Sequence, residues 1–337
     1  MAAGLPAESG NNILNVLVVG YGSIGNKHVN NLLKLRKIDQ LIVCSNHLDS
    51  FENHLGKGKL KLVHSLKELS PLMSNGGQFD FAIIANETYK HIETANILAE
   101  SGINLFIEKP ISNSVTKAIS LKKIAEKSNI KIFVAYNFRF LGALQYIKNQ
   151  ISSGAIGDLY FAEIEVGQYL PLWRPLSDYR KSYSARKEQG GGAALDLSHE
   201  IDYMRYLFGD PVSWKIMKAK VSDLEIDSED IFKGIYQYSS GFLCSVHTDY
   251  IRHNKKRGIT IVGNKGTFEC DFIEKFIKMQ NNSGEISLIE DAHLFDVDES
   301  YKSELNHFIE CIEKDKTPQI TLTDGIEVLK LIESDHV

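Results

Sequence analysis

The sequence predicts a doubly wound parallel α/β sheet followed by an α+β domain with a large, mostly antiparallel open sheet. Three observations carry this. Short apolar runs alternate with helical stretches from Leu14 to Phe140, a glycine-rich turn (Gly20-Tyr21-Gly22-Ser23-Ile24-Gly25) closes the first run, and beyond Leu141 the runs lengthen while helices become few.

Leu14 to Gly20 is rich in apolar and β-branched residues, as a strand buried on both faces requires. A helix over Ile24 to Lys37 follows, then strands at Gln40 to Cys44 and Lys61 to Val63, and a helix-like segment over Leu66 to Leu72. Phe79 to Ala85 and Asn104 to Ile107 repeat the buried-strand pattern, with a helix over Tyr89 to Glu100 between them. Such alternation predicts parallel pairing. The second half opens with a helix over Gly142 to Ser153. Strands are then predicted at Leu159 to Val166, Val212 to Val221, Ile231 to Tyr238, Phe242 to Tyr250, Gly258 to Val262 and Gly266 to Phe272. A helix over Gly192 to Phe208 interrupts them, and helices over Tyr301 to Lys314 and Thr323 to Glu333 follow.

Composition narrows the partners. The chain has 337 residues, enough for two cores, and a formal net charge of -5, so it presents no broad basic field for nucleic acid. No apolar run approaches the ~20 residues of a membrane span, and the start lacks the pattern of a secretory signal. Cys44, Cys244, Cys270 and Cys311 show neither disulfide nor zinc-ligand spacing, which fits a reducing, cytoplasmic setting. A small molecule is the expected partner, with no nucleic acid and no membrane.

The glycine turn suggests what one ligand is. Gly20 ends a strand, Gly22 removes a side chain where a pyrophosphate would approach, and Gly25 lets the next helix pack closely. The helix start at Ser23 and Ile24 then offers unpaired N–H groups and a partial positive charge to phosphate. A dinucleotide is the reading, in a Rossmann-type domain. Residues 1–12 are read as a disordered tail, 13–140 as the dinucleotide-binding domain, 141–322 as a substrate-binding and oligomerisation domain, and 323–337 as a C-terminal helix packing back on the first domain. At the end of the second strand, where NAD sites carry an acidic residue, stand Cys44, Ser45, Asn46 and His47. NAD and NADP are both admitted and NADP is mildly favoured, although Asp49 could still reach the ribose.

Phe106-Ile107-Glu108-Lys109-Pro110, ending the strand before the domain crossing, strongly resembles the Gfo/Idh/MocA oxidoreductases. Asn86-Glu87-Thr88 with His91, Tyr136-Asn137-Phe138-Arg139-Phe140, Trp173-Arg174, Gly190-Gly191-Gly192, Asp196 to Asp202 and Gly263-Asn264-Lys265-Gly266 follow in that family's order. The resemblance implies cofactor contacts from Asn86, Thr88, His91, Glu108, Lys109, Asn137, Trp173 and Arg174. It also implies a homodimer or homotetramer, and the second sheet's outer face, if apolar, would need such cover.

Lys109 is the first catalytic candidate on chemical grounds too. A cation at a strand's carboxyl end faces the ligand crevice, where it can hold a reacting hydroxyl and stabilise developing alkoxide. His199 is the candidate base, and Asp196 would bind a substrate hydroxyl or orient the imidazole from the same helix face. Their spacing departs from the family's: His stands three residues after Asp, not four, so Glu200 is the alternative acceptor. Tyr179 and Arg180 are expected to face the substrate from a loop that also carries Tyr183. No metal is expected. The activity so implied is hydride transfer between nicotinamide and a secondary hydroxyl or ketone of a sugar, sugar derivative or nucleotide sugar. Two alternatives stay open, a redox-assisted glycosidase using NAD transiently and a nonenzymatic dinucleotide or sugar sensor.

Overall fold

The computed structural model describes residues 13–46, 60–73, 78–173 and 175–336. The first sheet is six-stranded, with order β3-β2-β1-β4-β5-β6, and all its pairs are parallel. Its strands are β1 (Leu14–Val19), β2 (Ile38–Cys44), β3 (Leu60–Val63), β4 (Phe81–Ile84), β5 (Asn104–Glu108) and β6 (Ile132–Ala135). The helices between them are α1 (Ser23–Lys34), α2 (Ser70–Met73), α3 (His91–Glu100) and α4 (Val115–Ser128). Val16, Leu17, Val18, Phe81, Ile83, Phe106 and Ile107 are fully buried, as expected of strands covered on both faces.

Two expectations shift here. The first helix stops at Lys34 rather than Lys37, and β2 begins earlier, at Ile38, which is buried and pairs with Leu14 of β1. Helix α4 and strand β6 had no sequence assignment, since α4 buries only Ala118 and Leu121 and so shows a weak apolar stripe.

Helix α5 (Gly142–Ser152) leads to an eight-stranded sheet of order β14-β13-β12-β11-β7-β10-β9-β8. It comprises β7 (Leu159–Gly167), β8 (Ser213–Ala219), β9 (Ile231–Gln237), β10 (Leu243–Asp249), β11 (Lys256–Gly263), β12 (Gly266–Asp271), β13 (Phe276–Asn281) and β14 (Ile286–Ile289). Only β7 and β10 pair in parallel. One face packs on α7 (His199–Phe208), and the alternating burial of β9 leaves the other face open, with Phe161, Ile235, Leu243 and Met217 exposed.

The stretch from Gly192 to Phe208 is not one helix. It divides into α6 (Ala193–Asp196) and α7, with Leu197 and Ser198 between them. Finally α8 (Val297–Glu313) and α9 (Leu322–Glu333) return to the first sheet. Phe308 of α8 packs against Phe81, Phe106 and Phe133, with ring centroids 5.6 to 5.8 Å apart, and Val134 N–H donates to the Ile320 carbonyl just before α9. This return brings Tyr301 and Glu304 beside the glycine turn's strand-helix unit.

Candidate active site

The turn after β1 does three different jobs. Gly20 has φ +98°, and a Cβ there would sit 2.5 Å from the backbone of Ala85 and Asn86. A Cβ on Gly25 would run into the Gly20 carbonyl, so α1 can approach the strand only without one. A Cβ on Gly22 would meet nothing within 4 Å. Gly22 instead faces a cavity of about 600 Å³, and no side chain caps α1 at its start. Bare N–H groups of a three-turn helix at an open cradle fit a pyrophosphate.

The cavity's walls include Ser23, Ile24, Asn86, Thr88, His91, Glu108 and Lys109, all expected from the sequence. Tyr21, Lys27, Glu87, Tyr183 and Tyr301 join them. The His91 ring lies 3.0 Å from both the Asn86 and the Pro110 carbonyls. Burial pushes its pKa down, so the neutral ring has one N–H for the two carbonyls and ties the β4 loop to the β5 loop. Several other expected cofactor residues stand elsewhere. Ser45 and Asn46 end β2 outside the cavity wall, and His47 and Arg174 lie outside the described residues, as does Asp49. Asn137 lines neither this cavity nor the second one: it is buried, its amide donates to Ser300 Oγ at 2.8 Å, and its Oδ1 has no hydrogen-bond partner among the described residues. Trp173 donates to the Gln168 carbonyl and lines a second cavity instead.

That second cavity, about 370 Å³, lies against the large sheet. Phe138, Trp173, Gln168, Lys255, Phe272 and Phe295 contribute to its wall together with Lys109, Asp196, His199 and Arg257. Among the described residues, Lys109 alone lines both cavities. Its Nζ donates to the Asp196 carbonyl at 2.7 Å, while its backbone N–H donates to Glu108 Oε2 at 3.2 Å.

The break between α6 and α7 resolves the unusual spacing. With Leu197 and Ser198 out of the helix, Asp196 and His199 reach the same cavity from two short helices rather than from one face. The Asp196 carboxylate, however, is already engaged. It accepts from Tyr183 Oη (2.6 Å) on Oδ1 and from Ser184 Oγ (2.6 Å) and Tyr250 Oη (3.0 Å) on Oδ2, and makes no hydrogen bond to the imidazole among the described residues. The three glycines before it serve packing. Cβ atoms on Gly190, Gly191 and Gly192 would strike Thr88, the Tyr183 carbonyl and Glu229, so this run is bare to pack against protein loops.

His199 is buried against Phe138, ring centroids 4.7 Å apart. Its Nδ1 is buried without a hydrogen-bond partner, which leaves Nε2 as the nitrogen open to the cavity. Burial, then the nearby Lys109 and Arg257 charges, hold its pKa well below that of a free imidazole. It is therefore neutral at pH 7. Glu200, the alternative acceptor, is fully buried and takes Arg257 Nε at 2.7 Å and Nη2 at 3.1 Å, so it faces away from the cavity. Tyr179 and Arg180 line neither cavity: Arg180 pairs with Asp178 and Glu225, and the Tyr179 hydroxyl accepts from Glu225 N–H.

Behind Lys109 lies a cluster that sequence reading missed. His28 Nε2 is 2.6 Å from Glu108 Oε1, and both stand within ligand distance, under 4.8 Å, of a Glu304 carboxylate oxygen. Glu304 is fully buried with neither oxygen hydrogen-bonded. Burial, and then Glu108, push its pKa well above the usual carboxylate range. No short-range pattern could have signalled this, because the three residues come from α1, β5 and α8.

Comparison with known proteins follows the same two units. Residues 14–136 match the model of an oxidoreductase family with an NAD-binding Rossmann fold, and residues 144–269 match a GFO/IDH/MocA C-terminal domain. The rhizopine catabolism protein MocA of Rhizobium meliloti is 26% identical over 207 residues, 61% of this chain and 61% of its own length. The chain thus spans less than two thirds of that relative. A D-apiose dehydrogenase of Paraburkholderia graminis is 20% identical across 95% of this chain and 86% of its own. Two solved structures share the fold. Levoglucosan dehydrogenase in complex with NADH and levoglucosan has a TM-score of 0.81 at 18% identity, covering 95% of this chain and 96% of its own. WlbA dehydrogenase of Bordetella pertussis in complex with NADH and UDP-GlcNAcA has a TM-score of 0.80 at 20% identity, covering 95% and 94%.

Proposed function

The chain belongs to the Gfo/Idh/MocA oxidoreductase family, and on that premise we propose that it moves a hydride between NAD(P) and a secondary hydroxyl or ketone of a sugar, sugar derivative or nucleotide sugar. The observation that carries this reading is the place of Lys109, on the wall common to a dinucleotide-shaped cavity and a second cavity. The nicotinamide, when bound, supplies or takes the hydride.

The rest falls to side chains. The Lys109 ammonium, tied to the Asp196 carbonyl, holds the reacting oxygen and stabilises negative charge as it develops there. His199 Nε2, kept neutral, takes the hydroxyl proton in oxidation and returns it in reduction. Asp196 acts in this reading through its carbonyl on Lys109, while its carboxylate braces Tyr183 and Tyr250. Two relatives named as apiose and levoglucosan dehydrogenases support a sugar-like substrate. Ser45 and Asn46 carry no charge to repel a 2′-phosphate, so NADP is accepted beside NAD. The exposed apolar row of Phe161, Ile235 and Leu243 supports a homodimer or homotetramer joined across the open sheet.

The test is a panel of sugars, sugar acids and nucleotide sugars assayed with NAD and NADP at the absorbance of the reduced nicotinamide. At least one should show net cofactor turnover. Dinucleotide binding with no turnover across the panel would sink the reading in favour of a sensing role.

A further inference from the structure

The geometry points to an anionic substrate: the second cavity is built to take a sugar derivative carrying a carboxylate or phosphate, held by Lys255 and the free edge of Arg257. This rests on the reading of that cavity as the substrate site.

The charges on its wall are lopsided. Lys109, Lys255 and Arg257 line it, and Asp196 is the one carboxylate among the described wall residues. Three of the roughly four acceptor sites of its carboxylate are taken by hydroxyl donors inside the protein. A neutral polyol would look for acceptors as well as donors, and the single wall carboxylate is already mostly engaged inside the protein. The chain as a whole carries a net charge of -5, so this local excess of cations runs against the global balance.

The two cations are also arranged, not scattered. Lys255, just before β11, and Arg257, its second residue, line the same cavity, while Lys256 between them pairs with Glu165 Oε1 at 3.0 Å. Arg257 gives Nε and Nη2 to buried Glu200 and stacks its guanidinium 4.3 Å above the Phe138 ring. That clamp fixes the planar group and leaves Nη1 with no protein acceptor among the described residues. Lys255 is exposed at the rim and pairs with no described residue. A rigid Arg edge beside an unpaired Lys is a donor pair suited to two oxygens of one anion. A neutral hydroxyl can accept from such an edge too, but a carboxylate or phosphate oxygen makes the shorter and stronger charge-assisted bond, which gives discrimination as well as affinity.

The test uses matched ligands on the full-length protein: glucose against glucuronate and glucose 6-phosphate, each assayed for turnover with saturating dinucleotide and, in parallel, for binding by calorimetry. The better anionic member should exceed glucose in kcat/KM, or in affinity where turnover is absent, by about tenfold or more, as a charge-assisted hydrogen bond provides. The arms tell carboxylate from phosphate. Lys255→Gln, a rim substitution that leaves the Arg257–Glu200 clamp in place, should cut the anion-to-neutral ratio about threefold to fivefold through KM, and Lys255→Arg should restore it. Equal or better use of glucose, or a ratio indifferent to Lys255→Gln, overturns the inference while leaving hydride transfer standing. Lys255-dependent binding of the anions with no turnover does the reverse.

Discussion

The two cavities that meet at Lys109 are made of different materials. The cradle of the first is a backbone structure, in which glycines clear space and a helix start presents N–H groups within the six residues from Gly20 to Gly25, with side chains from Asn86 to Tyr301 closing the rest of its wall. The second is assembled from side chains of Phe138, Trp173, His199, Arg257, Phe272 and Phe295, spread over more than 150 residues of sequence. A backbone site tolerates only the residues that permit its conformation. A side-chain site can be rewritten position by position, which is how one fold serves many substrates.

If that contrast is right, perturbing the two sides should fail in different ways. The largest effect is expected on the side-chain side. His199→Ala should lower kcat at pH 7 by about 10²- to 10⁴-fold while dinucleotide affinity barely moves. Because burial, Lys109 and Arg257 hold the His199 pKa well down, the acid limb of kcat/KM for oxidation should lie below about pH 6.5, the free-imidazole value. A limb at or above that value would show that His199 is not the acceptor.

On the backbone side, Gly22→Val should fold normally, since its Cβ enters open space, yet weaken dinucleotide binding by about tenfold or more by filling the cradle. Gly25→Ala should instead cost stability, roughly 1–3 kcal/mol, through its clash with the Gly20 carbonyl. Denaturant midpoints and dinucleotide titrations separate the two; equal behaviour would erase the distinction between cradle and packing glycine.

The smallest effect concerns the buried cluster behind Lys109. The Glu304 carboxyl has its folded pKa raised, by burial and then by Glu108. A raised carboxyl contributes its full stability below the unfolded value, about pH 4.3, and loses it as pH rises through the folded value. Glu304→Gln keeps the shape without the proton. Its Tm should therefore gain on the wild type's as pH rises from 5 to 8, the difference widening by about 2 to 4 °C. A difference that narrows as pH rises would contradict a neutral acid at that position.

The same contrast explains what could be read in advance. The parallel sheet was legible because fully buried strands such as Val16–Val19 and Phe81–Ile84 are unbroken apolar runs, and the glycine turn because its residues are contiguous. Lys109 was legible because it follows a buried strand. The helix break at Leu197-Ser198 was not, since Ala193 to Phe208 has helical composition throughout and only the tertiary pull of Asp196 towards Tyr183, Ser184 and Tyr250 divides it. Arg257 reads as an ordinary strand residue until α7 brings Glu200 to it. Tyr179 and Arg180 looked like substrate groups because they are aromatic and basic, yet local acids claim the arginine.

The claim that joins both halves is that Lys109 serves the chemistry where the cavities meet, without building either one. Turnover and dinucleotide affinity of Lys109→Ala, measured side by side, test it. Turnover should fall about 10²- to 10³-fold, with the dinucleotide Kd within about threefold of wild type. Full turnover in that variant would contradict the account.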